Sequence, residues 1–157
     1  DPGHMMLARA VNEEPWDVVM AGFNILNQSA RDRVFAATQA RNIGTLIMFA
    51  VRRAFSDPVR LKEILADLEK RDKLTGPRLD RNDPLGFLVR AGGASSVPDA
   101  AYRFCRHEPG AHVILSGTGN PGHLEANALS INGEPIHFRD AFKLRAALAG
   151  VDDVSGQ

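Results

Sequence analysis

The stretch VILSGTGNPGHLEAN, from Val113 to Asn127, carries the groups best suited to holding a ligand. An apolar run ends at Ser116 and gives way to Gly117-Thr118-Gly119-Asn120-Pro121-Gly122. Glycines let a backbone bend tightly and let a ligand approach closely. Asn120 is a good N-cap, and Pro121 suits the first position of a helix. The N–H groups and positive dipole end of that helix face the loop and suit a phosphate. Strand, glycine turn and helix thus imply a nucleotide or phosphate ligand without saying what is done with it. A tight turn with no ligand is the plain alternative. The same loop spells G-x-G-x-x-G, the local pattern of a dinucleotide-binding fold. That fold needs another strand after the helix, and Ile131–Ile136 is short and broken by Gly133 and Pro135.

Other chemically capable side chains give weaker signals. His107, His112, His123 and His137 show no metal-site spacing on one helix face, so no metal is expected. His123 is the histidine placed for ligand contact, and His107 suits the end of its helix, where positive charge is favoured. Arg52-Arg53 reads equally as an anion clamp or a solvated pair. Glu13-Glu14 and Asp152-Asp153 lie in exposed or terminal segments, which argues against a glycosidase-type role. The run Glu69–Lys73 reads as a solvated helix end. Tyr102, the only tyrosine, is expected half-buried on an outer helix with its hydroxyl at the surface. Cys105, the only cysteine, reads as a buried small hydrophobe; a lone thiol excludes an internal disulfide and favours a reducing, cytoplasmic setting.

Three compact apolar segments are expected to be buried parallel strands: Asp17–Phe23, Gly44–Val51 and His112–Ser116. Helical patterns lie between them. Ser29 and Asp32 have capping-box spacing, followed by Val34, Phe35 and Ala37. Asp57-Pro58 opens a helix with Leu61, Ile64, Leu65 and Leu68 on one side. Ser96 and Asp99 start another, with Ala100, Ala101, Phe104 and Cys105 inward. Leu124, Ala128 and Ile131 are expected to line the next, and Phe138, Ala141, Phe142 and Leu148 the last. Residues 71–82 read as a solvated loop and 83–91 as a short helical turn. Strands alternating with helices predict a parallel α/β sheet.

A chain of 157 residues is about one domain. Its 19 basic and 19 acidic residues cancel, giving no general attraction to nucleic acid. No apolar run reaches the roughly 20 residues that span a bilayer, so no membrane association is expected. Residues 1–5, Asp-Pro-Gly-His-Met, read as an expression-tag remnant, with the domain proper at 6–157.

Together with the glycine loop, the segments Asp17-Val18-Val19-Met20-Ala21-Gly22-Phe23-Asn24 and Ile43–Val51 resemble, in order and spacing, the C-terminal part of the aldo/keto reductases. The resemblance covers about residues 7–156. It implies an incomplete (β/α)8 TIM barrel fragment: about three parallel strands, corresponding to strands six to eight, with flanking helices. A complete barrel takes about 250 residues. The family reduces carbonyls with NADPH through an Asp, Tyr, Lys and His tetrad on the first four strands. No catalytic residue is therefore expected here, and the fragment alone should be inactive. The cofactor half-site maps onto this chain. Gly117, Thr118, Gly119 and Asn120 fall around the adenosine 2′-phosphate and pyrophosphate, with His123 where an Arg or Gln is common. Asn127 matches an adenine-binding Asn, and Phe49 an aromatic ring against the nicotinamide. Arg52 follows within reach of phosphates, and Ala50 replaces a Ser. Ala126 replaces a Glu that meets adenine, and Met20 stands where a Gln binds the nicotinamide amide. No Lys or Arg lies between Gly117 and Asn127, which leaves NADP(H) and NAD(H) both open. The implied function is weak nicotinamide-dinucleotide binding; the alternative is a non-catalytic nucleotide-binding or scaffold module. Strands of a barrel are apolar on both faces, here at Val18, Met20, Leu46, Met48, Val113 and Leu115. The missing strands thus predict self-association through sheet edges or barrel-interior faces.

Overall fold

The computed structural model describes residues 2–13, 15–90 and 93–157. Asp1 of the N-terminal pentapeptide, Glu14 of the paired carboxylates and Ala91 of the expected turn lie outside the described residues. Helix α1 (Met5–Glu13) precedes strand β1 (Val18–Gly22), and a π-helical turn (Arg31–Phe35) leads into α2 (Ala36–Ala40). Strand β2 (Gly44–Met48) is followed by a 3-10 turn (Arg53–Phe55) and α3 (Pro58–Lys70). Then come α4 (Phe87–Arg90), α5 (Val97–Arg106), strand β3 (Val113–Ile114), α6 (Pro121–Ile131) and α7 (Phe138–Ala147). The strands form one parallel sheet in the order β1-β2-β3. All three expected strands and the parallel α/β class are present.

The pleat divides the sheet into a covered and an open face. Met20 pairs with Leu46, and Leu46 with Val113, so these residues share one side. The intervening Val19, Ala21, Thr45, Ile47 and Ile114 are buried beneath the helices. There Phe23 meets Phe35 at 5.3 Å and stacks on Phe104 at 5.8 Å between ring centres. On the other side Val18 is 51% exposed, Met20 47% and Val113 48%, with Leu46 and Met48 partly buried.

Helices with complete local signals form as expected. Asp57 accepts from the N–H groups of Val59 and Arg60, and Leu61, Ile64, Leu65 and Leu68 are the buried residues of α3. Ser96 caps α5 through the N–H of Asp99 at 3.2 Å, with Ala100, Ala101, Phe104 and Cys105 inward. The capping box at Ser29 does not form. Its hydroxyl lies 2.8 Å from both Asn27 Oδ1 and His4 Nδ1 and makes no bond to the helix start. Leu124 and Ala128 of α6 are exposed, as are Phe138 and Phe142 of α7; of the expected inward residues Leu148 is buried and Ile131 and Ala141 are partly buried, and Leu144 and Ala147 join them in the core. Among the described residues the apolar stripe of α6 is covered only at its C-terminal end, at Ile131. Helix α1 was not anticipated. The stretch Pro2–His4, read as a tag remnant, packs on the fold: the Pro2 carbonyl accepts from Asn27 Nδ2 at 2.9 Å, and His4 is buried.

Two buried polar residues lace the structure together. Glu108 accepts a two-pronged ion pair from Arg31 at 2.6 and 2.8 Å and a third contact from Arg145 at 3.1 Å. Asn24 accepts from the N–H groups of Leu26 and Asn27 and donates to the carbonyls of Phe49 and Ser155. The chain's last residues are thereby drawn across the C-terminal ends of β1 and β2, where Gly156 O also accepts from Ala54 N at 3.0 Å. Asn24→Ala strands these buried partners. It should cost about 2–4 kcal/mol, read as a lowered midpoint in urea unfolding.

Candidate functional site

The C-terminal ends of the three strands and the loops after them build two neighbouring cavities. One, of about 630 Å³, lies between α5 and α6. It is lined by Gly117, Thr118, His123 and Asn127 of the expected set, together with Val51. The other, of about 430 Å³, is mostly apolar and lies at the ends of β1 and β2, lined by Met20, Met48 and Phe49. The segment Phe49–Val51 stands between them, contributing to both.

The glycine loop is built as expected at the helix start. Asn120 Oδ1 accepts from Gly122 N at 2.9 Å and His123 N at 3.3 Å, so those two N–H groups are taken. Asn120 N donates to Thr118 Oγ1 at 3.1 Å, closing the turn. Among the described residues, the N–H groups of Gly117, Thr118 and Gly119 meet no acceptor. A Cβ on Gly117 or Gly119 would meet nothing within 4 Å. The loop thus presents open backbone donors, which fits an anion; the first N–H groups of α6 serve its cap instead. Asn127 Nδ2 donates to Ser116 Oγ at 2.8 Å, leaving Asn127 Oδ1 as an acceptor.

Strand β2 ends three residues earlier than expected because Phe49 has φ +68°, a left-handed conformation that costs a bulky residue about 1–3 kcal/mol. This turns the aromatic ring out of the sheet, and the guanidinium of Arg52 stacks 4.3 Å from its centre. A Cβ on Gly22 would lie 3.3 Å from that ring, so the glycine makes room for it. Arg52 Nε is the one buried side-chain nitrogen or oxygen without a partner among the described residues. Such orphans are rare and are met by a water or an ion, or carried as local strain. Arg53 points elsewhere, to Asp57 at 3.5 Å on the surface, so the two arginines differ in role.

Residues that sequence reasoning placed differently also converge on the larger cavity. Tyr102 is buried rather than half-buried, and its hydroxyl lies 3.0 Å from Ser116 Oγ. Asp99 is almost wholly buried and accepts from Ser95 N at 2.8 Å, Ser95 Oγ at 3.0 Å and Arg103 Nε at 2.7 Å. Burial disfavours its charge, but the bonds from Ser95, Ser130 and Arg103 outweigh that and hold the carboxyl below its ordinary pKa.

The remaining candidates are structural. His107 ends α5, its Nε2 2.9 Å from Gly133 O; His112 Nδ1 accepts from Thr45 N at 3.0 Å; His137 starts α7. Among the described residues no three His, Cys, Asp or Glu side chains gather into a metal-sized cluster. Cys105 is fully buried, and burial pushes its thiol pKa well up, away from nucleophile chemistry. Asp152 pairs with Arg33 and Lys73, and Asp153 with Arg71. Among the described residues no strand follows α6, where a dinucleotide fold would place one for the glycine motif. No helix among the described residues is long and apolar enough to cross a membrane.

An open parallel sheet with its helices on one side and its cavities at the strand C-termini is the architecture of part of a (β/α) barrel. The solved structures agree. The chain superposes on an aldo-keto reductase from Bacillus halodurans in its holo form with a TM-score of 0.61 and 14% identity. On the apo form the values are 0.58 and 13%. In each case 99% of this chain is covered against about half of the other, 50% and 51%. The fold is therefore that of part of an aldo-keto reductase barrel, as the sequence resemblance implied. No family model matches the chain, and no curated protein does.

The Asp99 cluster makes a pH prediction. Its native carboxyl titrates below the unfolded one, so its stabilisation is complete above about pH 4 and fades as pH falls through the native value. Asp99→Asn should unfold more easily than the parent at pH 7, with the gap closing on acidification in urea melts. A gap unchanged down to about pH 2 would contradict the carboxylate's role.

Proposed function

We propose that this chain is a nicotinamide-dinucleotide-binding module, the cofactor-side part of an aldo/keto reductase-like barrel. The observation that carries the reading is the pair of cavities joined across Phe49–Val51. A dinucleotide has two heterocycles joined through phosphates, and a site for it needs two pockets with donors between or beside them. The larger cleft, with the open N–H groups of Gly117 and Thr118 in its lining, suits the adenosine part; Gly119 and Asn120 follow in the same loop without lining it. The apolar cavity beside Phe49 suits the nicotinamide, and Arg52, stacked on the Phe49 ring, is the nearby cation that suits the linking phosphates. The bound group supplies a hydride. The residues of this chain bind and orient it, and carbonyl reduction would require catalytic groups from a complementary part of a barrel.

Binding by this chain alone is expected to be weak. Only one side of the ligand is held, and ordering the exposed loop costs entropy. The glycine loop has no basic residue, so NADP(H), the family's cofactor, and NAD(H) both remain candidates. The open sheet face is the second part of the proposal. Val18, Met20, Val113 and Leu115 form an exposed apolar surface, and covering it favours association by about 25 cal/mol per Å². Self-association into a dimer or higher oligomer follows, and the lone buried thiol suits the cytoplasm.

Calorimetric titration with NADP⁺ and NAD⁺ should give saturable heat, weakened severalfold by His123→Ala and by Asn127→Ala. No heat at millimolar ligand would end the binding proposal. Sedimentation at micromolar concentration should show dimers or larger species that Met20→Glu shifts toward monomer; a monodisperse monomer of the unaltered chain would end the association proposal.

A further inference from the structure

Helix α7 has a packed inner side and a bare outer one. Inside, Leu144 and Ala147 are buried; Leu144 O accepts from Gln28 Nε2 at 3.2 Å, and Ala147 O from Thr75 N at 3.3 Å. These anchors fix which way the helix faces. Outside, Phe138 is 71% and Phe142 70% exposed. Residues four apart share one helix face, so the two rings stand together. Neither lines either of the two cavities, so this face offers a surface and not a pocket.

Cations border the rings. The Arg139 guanidinium lies 5.7 Å from the centre of the Phe138 ring, and Lys143 Nζ lies 4.1 Å from the centre of the Phe87 ring. Among the described residues, neither cation pairs with a carboxylate. Arg145 shares Glu108 with Arg31, so two guanidiniums meet one carboxylate and positive charge is left over. Asp140, the only acid of α7, stands two residues from each ring. It therefore points to the other side of the helix, where it is partly buried.

An occupant of this face must bring negative charge to the border and apolar depth to the centre. A second copy turned onto the same face would set Arg139 and Lys143 against their own counterparts, with no acid there to offset them. A membrane surface containing anionic lipid supplies both needs, with headgroups at the border and acyl chains beneath. Helix faces that combine phenylalanine with lysine or arginine enter such a boundary to a depth of about 5–10 Å. The lone buried thiol suits the cytoplasm, whose membrane leaflet carries anionic lipid.

We propose that α7 is a peripheral membrane contact, with Phe138 and Phe142 entering an anionic lipid surface and Arg139, Lys143 and Arg145 meeting its headgroups. The expectation of no membrane association rested on the length needed to span a bilayer, and lying on one has no such requirement.

The test is flotation of the full chain with vesicles of phosphatidylcholine alone and of phosphatidylcholine with phosphatidylserine. Two double variants accompany it: Phe138→Ser with Phe142→Ser, and Arg139→Gln with Lys143→Gln. None of these side chains belongs to the buried core, so the variants should fold. The chain should float with the anionic vesicles only, less so as salt rises, and each double variant should bind about tenfold more weakly. No binding to anionic vesicles by the unaltered chain would overturn the proposal, as would equal binding to both vesicle types. Binding that survives loss of both phenylalanines would reduce the contact to charge alone and overturn it too. Binding to polyglutamate without binding to vesicles would give the face to an acidic protein, and the membrane proposal would fall.

Discussion

The whole molecule is organised by a parallel sheet that has helices on one face only. Parallel strands arise from helical crossovers and are normally covered on both sides. Here the pleat sends Val19, Ala21, Ile47 and Ile114 into the helical core and leaves Val18, Met20 and Val113 facing outward. The covered side accounts for folding. Phe23, Phe35 and Phe104 pack there, and buried Glu108, paired with Arg31 and Arg145, ties the ends of the surrounding helices. The open side is as apolar as a core layer, which is why its covering enters the functional proposal.

That same asymmetry explains which elements were legible in the sequence. Helices α3 and α5 carry every signal locally: a cap, a proline in the first turn and an apolar stripe facing a layer of this chain. Helices α6 and α7 carry equally good stripes at Leu124, Ala128, Phe138 and Phe142, yet these remain in solvent. Periodicity reports that a helix has an apolar face, while burial depends on what lies opposite. Strand pairing was legible for the same reason as α3, since each strand finds its neighbour within the chain. The end of β2 was hidden: Phe49-Ala50-Val51 continues a β-forming pattern, and only tertiary packing imposes the left-handed turn at Phe49.

The site divides along a similar line. That Gly117, Thr118, His123 and Asn127 share one cleft was legible because loop and helix are contiguous, and local chemistry determines their geometry. That Arg103 lines the same cleft was hidden, because Asp99 and Arg103, four residues apart, look like an ordinary surface helix pair. The usable signal was the placement of Asp99 between the inward positions Val97 and Ala100-Ala101, which buries a carboxylate and so demands a partner. Tyr102 was misjudged by the same omission: α6 folds back over α5, and its neighbour Ser116 takes the hydroxyl.

The strand ends also couple stability to binding. Asn24 holds the Phe49 carbonyl and the Ser155 carbonyl with one amide group, and the tail beyond it packs against Arg52, whose Cβ lies 3.4 Å from where a Gly156 side chain would begin. Phe49 can keep its strained backbone only while those contacts over-determine it. Release of the tail would let Phe49 relax toward a strand conformation and carry the ring and Arg52 away from the apolar cavity. The residues that shape the apolar cavity are therefore held from outside it. The larger cleft rests on its own helices, α5 and α6, so it is the cavity that keeps its shape when the tail is loosened.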